Sequence, residues 1–204
     1  MLKRTVLPAV LIIFLGITLW AFKQNNRNND SKEQMLLTAI GTILEQKHYS
    51  PKPIDDNFSK QVFKKYLETL NPDKNIFLQS DVDYLKKYEL TLDDEIHGAP
   101  LNFYPDASSI YLKRVDEVMQ LYKQILSQPF DFTKNESINL DDSSASFPAD
   151  EAARKESWRK RLKYLTLDQY TDLLQQRNSQ TKDSSIANKT DAQLQQMARE
   201  KVQS

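Results

Sequence analysis

The sequence contains no cysteine and only three glycines among its 204 residues. The lack of cysteine excludes disulfide scaffolds, thiol catalysis, iron–sulfur clusters and cysteine zinc sites. The few glycines remove most phosphate-binding loops and favour helices over turn-rich β architecture. Because 28 basic side chains balance 28 acidic ones, net charge attracts the chain neither to nucleic acid nor to anionic lipid. The apolar share of 39% lies below the roughly 45–50% of globular proteins and predicts a lean core.

One long apolar run is present, at the N-terminus. It covers Thr5–Phe22, which are 18 residues preceded by Lys3 and Arg4. This length lies between the roughly 7–15 apolar residues of a signal peptide and the roughly 20 of a full membrane span, so cleavage and retention are both open. Retention is favoured, because a cut after Ala21 needs a small residue where Leu19 stands. Residues 1–23 are therefore predicted to form a signal anchor or a signal peptide.

The residues around this run predict where the rest of the chain lies. Lys3, Arg4 and the free amine favour a cytoplasmic N-terminus. Residues 24–30 are polar and rich in asparagine, which is typical of a short flexible spacer. Residues 31–204 are then expected to form one domain outside the cytoplasmic membrane.

Apolar residues recur at three- and four-residue steps along most of this domain, which is typical of amphipathic helices. Helices are predicted over about 31–48, about 58–70, from Ser80 through Tyr88, from Ala107 to Leu126, from near Asp150 with a bend at 167–168, and around Leu194–Val202. Ser31, followed by Gln34, is predicted to cap the first of these helices, and Ser80 the third. Sustained alternation is missing, and only Ile138–Leu140 could form a very short strand. The predicted fold is all-α, an irregular multi-helix domain preceded by a membrane or signal helix.

The predicted core becomes thin beyond about residue 175. Ile186 is the only large apolar residue between 177 and 190. The last helix has three apolar anchors, Leu194, Met197 and Val202. Such a short stripe predicts a helix that lacks its packing partner.

Candidates for catalysis are few. His48 and His97 lie far apart in the sequence without an H-E-x-x-H pattern, so they are interpreted as a helix-end cation and a loop residue. Ser157 and Lys160 have the S-x-x-K spacing of a serine nucleophile and its lysine base. The S-D-N and K-T-G elements of penicillin-recognising enzymes are absent, which argues against that chemistry.

The charged clusters receive structural interpretations. The basic residues near Lys160 are interpreted as a solvated face, because Glu151 and Glu156 interrupt the run. These basic residues are Arg154, Lys155, Arg159, Arg161 and Lys163. The local acidic groups lack a glycine-containing calcium loop and are interpreted as helix caps and solvent-facing carboxylates; they are Asp81 with Asp83, Asp93 with Asp94 and Glu95, and Asp141 with Asp142. No catalytic, cofactor-binding or metal-ligating residue is assigned, and neither a cofactor nor a nucleic-acid partner is expected.

Four stretches, in this order and spacing, resemble the N-terminal helical domain of bacterial tail-specific proteases, also called carboxy-terminal processing peptidases. They are LEQKHYSP at 44–51, LNPDKNIFLQSDV at 70–82, QPFDF at 128–132 and FPADEAARKESWRKRLKY at 147–164. The resemblance covers roughly residues 34–200. The stretch at 70–82 is the most specific of the four.

This resemblance implies a larger peptidase. In the family a PDZ domain and a peptidase domain follow, and a serine nucleophile works with a lysine base. No residue of this chain corresponds to either group, and the sequence is expected to be incomplete at its C-terminus. The implied partners are the remainder of the peptidase, an adaptor lipoprotein, and unfolded or C-terminally marked protein substrates. The implied location is the bacterial periplasm, with the N-terminal helix tethering the chain to the inner membrane.

Two functional hypotheses follow. The first is a non-catalytic N-terminal scaffold of a periplasmic tail-specific serine peptidase that degrades envelope proteins. The alternative is a free-standing, membrane-tethered helical binding module that acts on a partner peptidase or envelope protein. The sequence alone does not decide whether the chain is an enzyme, because it resembles part of a serine-type endopeptidase and lacks the catalytic residues. A solute-binding helical bundle would need a polar-lined pocket, and no pattern in the sequence indicates one.

Overall fold

A computed structural model describes residues 32–140, 145–179 and 185–203. The predicted membrane segment Thr5–Phe22, the spacer at 24–30 and the capping residue Ser31 lie outside these ranges. Among the described helices, none combines the length and the apolar character that crossing a bilayer requires.

Seven α-helices are present in the described ranges. They are α1 (32–46), α2 (Asp56–Leu70), α3 (Gln79–Leu85), α4 (Leu92–Ile96), α5 (Phe103–Leu126), α6 (Glu151–Asn178) and α7 (Asp191–Gln203), and a 3₁₀ turn over Lys86–Tyr88 follows α3. No strand occurs in the described residues, and Ile138–Leu140 is not paired as one. The all-α prediction is therefore confirmed for this part of the chain.

The helix ends show where local sequence rules hold. The side chain of Asp150 accepts a hydrogen bond from the backbone N–H of Ala153 at 2.8 Å, so α6 begins where its capping residue predicts. The predicted cap at Ser80 is wrong, because α3 starts one residue earlier and Ser80 lies inside it. Instead, the carboxylate of Asp81 accepts a hydrogen bond from Leu78 N–H at 2.8 Å. The predicted bend at 167–168 is also wrong, since α6 continues without interruption to Asn178.

The chain divides into two compact units. One is formed by the chain up to Phe63 together with Lys87–Pro105, and the other by Lys64–Lys86 together with the chain from Asp106. In the first unit, Phe63 and Phe103 lie 5.8 Å apart between ring centroids, and Tyr88 meets Phe103 edge-on at the same distance. Such aromatic contacts add to the hydrophobic gain from burial. The first unit therefore has a core of its own.

A glycine allows the close approach of α1 to α4 in the first unit. A Cβ atom at Gly41 would lie 2.4 Å from Cγ2 of Ile96, well inside van der Waals contact. In the same unit, the buried hydroxyl of Ser59 donates to Asp93 Oδ1 at 2.5 Å and accepts from Asp93 N–H at 2.8 Å.

The five-residue α4 was not predicted from the sequence, because it is too short for a periodic pattern.

The second unit contains two apolar clusters around α6. In one, Leu162 is fully buried with Ile125 and Leu126 of α5, and Trp158 packs against them. In the other, the buried side chains are Tyr170, Leu173, Ile186, Leu194 and Ala198. α6 therefore contacts α5 through its first half and the C-terminal segment through its second half.

The expectation that the last helix lacks a packing partner is wrong. Leu194 and Ala198 are 0% exposed and pack with Leu173 on α6. Arg177 of α6 pairs with Asp191 at 2.8 Å and donates to the backbone oxygen of Lys189 at 2.9 Å. The core thus extends well beyond residue 175, because small Ala198 and a few large apolar side chains suffice when they face one helix.

Leu194→Ala tests the docking of α7. Truncating a fully buried leucine should lower the free energy of unfolding by about 2–5 kcal/mol, measured by urea denaturation. Leu112→Ala is the matched control, since Leu112 is 63% exposed on α5 and should change stability by less than about 0.5 kcal/mol. Equal stability losses for the two variants would contradict the docking of α7 on α6.

Candidate functional site

Two basic residues of α6 are buried, so the interpretation of this cluster as a solvated face is wrong for them, while Lys155 is exposed. Arg154 is only 3% exposed and Lys163 only 9%. A buried cation is costly unless it is paired, so the partners of these residues define what the cluster does. Each partner belongs to the second unit.

Arg154 holds the turn before α3 against α6. Its Nη1 donates to the backbone oxygen of Ile76 at 2.9 Å, and its Nη2 donates to Oε2 of Glu117 at 2.6 Å. One turn further along α6, the indole N–H of Trp158 donates to the backbone oxygen of Asn75 at 2.8 Å. Two side chains at an i, i+4 spacing thus satisfy two adjacent carbonyls of a segment without regular structure.

Glu117 continues the connection to α3. Its carboxylate also accepts from Nη1 of Arg114 at 2.8 Å. Arg114 in turn binds both oxygens of Asp81, with Nε at 2.9 Å and Nη2 at 3.0 Å. This bidentate geometry is the strong form of an ion pair, and Asp81 is the residue that caps α3. The set Asp81, Arg114, Glu117 and Arg154 is called the ion-pair network below.

Charge stabilisation in the ion-pair network appears in its pKa values. Burial raises the pKa of Glu117, but the hydrogen bonds from Arg154 and Arg114 outweigh burial and hold the pKa below its ordinary value. The hydrogen bonds that Arg114 donates to Asp81 raise the pKa of Arg114 above its ordinary value. Glu117 and Arg114 are therefore stabilised in their charged forms by their partners.

A second set of contacts fixes the extended segment after Phe132. Glu136 accepts hydrogen bonds from Arg159 and Lys163, and Nζ of Lys163 also donates to the backbone oxygen of Lys134 at 3.2 Å. The hydrogen bonds from Arg159 and then from Lys163 lower the pKa of Glu136 from 4.5 to about 2. Arg161 of α6 also has a carboxylate partner, since it pairs with Asp73 at 3.1 Å.

The S-x-x-K residues lie on the same helix and have no catalytic geometry. Ser157 is exposed, Lys160 is half-buried, and both line a shallow cavity of about 330 Å³ with Asp73, Glu156 and Arg161. In the part of the chain that the structure describes, no hydrogen bond joins Ser157 to Lys160. A lysine that acts as a base must reach its hydroxyl and be well buried, whereas Lys160 is only half-buried and is not hydrogen-bonded to Ser157.

Each histidine ring has a partner within hydrogen-bonding distance. Nε2 of His97 lies 3.2 Å from Oε1 of Glu45, and Nδ1 of His48 accepts from the N–H of Ser50 at 3.2 Å. His97 is the residue that ends α4, and His48 follows α1. Within residues 32–140, 145–179 and 185–203, no group of three or more histidine, aspartate or glutamate side chains is arranged to hold a metal ion.

The family is decided by comparison with known proteins. The family model of the tail specific protease N-terminal domain matches residues 40–204. The chain belongs to this family. It is 33% identical over 135 residues to the tail-specific protease of Haemophilus influenzae, an alignment that covers 65% of this chain and 19% of that protein. The chain therefore spans about a fifth of the curated relative.

The two most specific stretches of the tail-specific protease resemblance contain two of the four members of the ion-pair network, Asp81 and Arg154. The stretch at 70–82 supplies Asp81 and the carbonyls of Asn75 and Ile76, and the stretch at 147–164 supplies Arg154 and Trp158. These motifs meet in the structure, although about 80 residues separate them. Arg154 and Trp158 of the second stretch are thus both hydrogen-bonded to backbone oxygens of the first stretch.

Sequence analysis did not identify Arg114 and Glu117. A signal was available, since opposite charges three residues apart on one helix face often pair. The pattern is common on solvent-exposed helices, and only the positions of α3 and α6 make this pair a buried junction.

Glu117→Gln should destabilise the protein, because two guanidinium groups would lose their shared carboxylate. We expect a loss of about 2–4 kcal/mol, slightly below the cost for a fully buried pair because Glu117 retains 30% side-chain exposure. Urea denaturation measures it. Glu68→Gln is the control, since its pair with Lys64 is exposed and should contribute at most about 1 kcal/mol. Equal losses for the two variants would show that the network does not form.

Glu136→Gln should change the acid stability of the protein. A carboxylate whose pKa is lowered on folding stabilises the protein above its unfolded pKa, and this contribution is lost as the pH falls through the folded value. For Glu136 the window runs from 4.5 down to about 2. The unfolding free energy of the variant should therefore depend less steeply on pH in this window, as followed by circular dichroism. Identical slopes would contradict the contacts from Arg159 and Lys163.

Proposed function

We propose that this chain is the non-catalytic N-terminal scaffold of a periplasmic tail-specific serine peptidase. Proteolysis of envelope proteins is the function of the assembly, and the chain contributes a rigid helical support. The partners are the remainder of the peptidase, with its PDZ and catalytic domains, an adaptor lipoprotein, and unfolded or C-terminally marked substrates. Residues 1–23 act as the membrane anchor or export signal, residues 24–30 as the spacer, and residues 31–204 as the helical domain.

The ion-pair network is the observation that supports a scaffold role most directly. Catalytic sites keep reactive charged groups accessible in a cleft, whereas these charges are bonded to neighbouring helices and turns. Arg154, Arg159 and Lys163 all bind carboxylates or carbonyls of the same unit. A helix whose cations are bonded in this way fixes the geometry of the segments around it.

The similarity to a tail-specific protease supports the rest of a peptidase as the partner of this chain. The matched relative is named a tail-specific protease, and the alignment leaves most of that protein outside the matched region. Family membership therefore supports a larger peptidase as the partner of this domain. Its activity and substrates enter here as part of the proposal.

The docking of α7 favours a second candidate function. A free-standing binding module needs a core that is stable without further domains, and the full burial of Leu194 and Ala198 provides such a core in the second unit. In this alternative, the membrane-tethered chain binds a separate peptidase or envelope protein in trans.

Incubation of the purified chain with a disordered protein tests the scaffold role. No cleavage is expected above the background of a matched preparation carrying Ser157→Ala, and mass spectrometry of the products measures it. Cleavage that disappears in the Ser157→Ala preparation would overturn the non-catalytic assignment.

A chimaera provides the positive arm of the same test. The matching segment of the Haemophilus influenzae protease is replaced by that of this chain, and hydrolysis of a disordered substrate is followed. A scaffold should preserve cleavage in the chimaera and in its Ser157→Ala form, whereas Glu117→Gln should lower activity in proportion to the loss of folded protein. A folded chimaera without activity would favour the binding module.

A further inference from the structure

α1 turns its less apolar side toward the protein. The inward stripe contains a glycine and three polar side chains; it consists of Gln34, Leu37, Thr38, Gly41 and Glu45. Gln34 donates to the backbone oxygen of Glu95 at 2.6 Å, and Glu45 accepts from the N–H of Ile54 at 3.3 Å. The close approach at Gly41 and these two hydrogen bonds hold α1 against the rest of the first unit.

The opposite side of α1 is apolar and exposed. Its large side chains are 39–71% exposed; they are Met35, Leu36, Ile40, Ile43 and Leu44. Leu36, Ile40, Ile43 and Leu44 follow one another at intervals of four, three and one residues. At about 100° per residue, this spacing places the four side chains on one face of the helix. This face is called the outer stripe below. In a soluble helix such a stripe normally faces the core, so its outward orientation indicates a surface that is covered in the working protein.

Chain length identifies what can cover the outer stripe. Nine residues, 23–31, separate the end of the predicted membrane segment at Phe22 from the first described residue of α1. Nine residues extend over at most about 30 Å. If Phe22 lies at the membrane surface, α1 starts within this distance of the lipid headgroups, and its 15 described residues are about 22 Å long.

The charges around the outer stripe suit a lipid surface. Lys32 and Lys47 are exposed at the two ends of α1, about 40° and 20° from Leu36 around the helix axis. Long lysine side chains reach the headgroups while the apolar residues between them enter the interface. Glu33, also exposed on this side, lies in the first turn, where the helix dipole favours a carboxylate.

We propose that α1 lies in the plane of the membrane surface, with the outer stripe immersed at the level of the lipid headgroups. The inference rests on the membrane tether of the proposed function. Two attachments, the predicted segment Thr5–Phe22 and α1, then fix how the first unit faces the membrane. A single tether with a flexible spacer would leave that orientation free.

The lack of native cysteine allows a direct test with the full chain. Leu36→Cys and Ile40→Cys variants, labelled with an environment-sensitive fluorophore, are reconstituted into vesicles of phosphatidylcholine and phosphatidylglycerol. Thr42→Cys is the matched control, because Thr42 is exposed on the same helix outside the outer stripe. Circular dichroism confirms that each labelled chain retains its helices.

Labels at 36 and 40 should shift their emission to the blue, be quenched by brominated lipid and resist quenching by iodide in water. The label at 42 should keep its emission wavelength, resist brominated lipid and be quenched by iodide. Adding Ile43→Ser and Leu44→Ser should abolish lipid quenching at 36 while the chain still floats with the vesicles. Iodide quenching at 36 and 40 equal to that at 42 would overturn the inference and leave the tether intact.

Two further outcomes also overturn the inference. Labels at 36 and 40 that are shielded from both quenchers would show that protein covers the outer stripe, either a second copy or another segment of the chain. A chain that fails to float with the vesicles would remove the tether, and the proposed membrane attachment would fail together with the position of α1.

Discussion

Burial of cations on α6 is the constraint on which the second unit depends. Arg154 and Lys163 lie where water cannot compensate their charge, so each must find fixed oxygen atoms. Arg154 finds them on Glu117 and on the carbonyl of Ile76, and Lys163 on Glu136 and the carbonyl of Lys134. These oxygens belong to α5 and to segments without regular structure. The requirement to satisfy buried charge thus orders loops that have little apolar surface of their own.

This arrangement is consistent with the lean composition of the chain. An apolar share of 39% limits how much stability burial of apolar surface can supply. Buried ion pairs are expensive to form, but breaking one leaves a charge without compensation, so they penalise alternative packings strongly. The ion-pair network would then serve mainly to select one arrangement of α3, α5 and α6. The proposed scaffold needs such a fixed shape, and the outer stripe on α1 is the surface that we propose orients it.

Local patterns identified most of the helices but not how they pack. The apolar stripe ending at Leu126 predicted α5 and the apolar spacing after Asp150 predicted α6, because such periodicity depends on neighbours in the sequence. The core beyond residue 175 was missed, since the burial of Leu194 depends on its position opposite Leu173. The basic residues of α6 were assigned to solvent for the same reason: a Lys or Arg run on a helix is usually exposed, and sequence alone does not show the carboxylates of Glu117 and Glu136 across from it.

The sequence by itself determined the helical class, the family resemblance and the apolar N-terminal run, because composition, short-range periodicity and motif spacing are properties of neighbouring residues. Tertiary structure alone decided that Asp81 and Arg154 belong to one network, that α7 is docked, and that α1 presents its apolar side outward. These features depend on which surfaces meet across dozens of residues. Hydrogen bonds and ion pairs act over a few ångströms of space, and no local pattern in a single sequence records that distance.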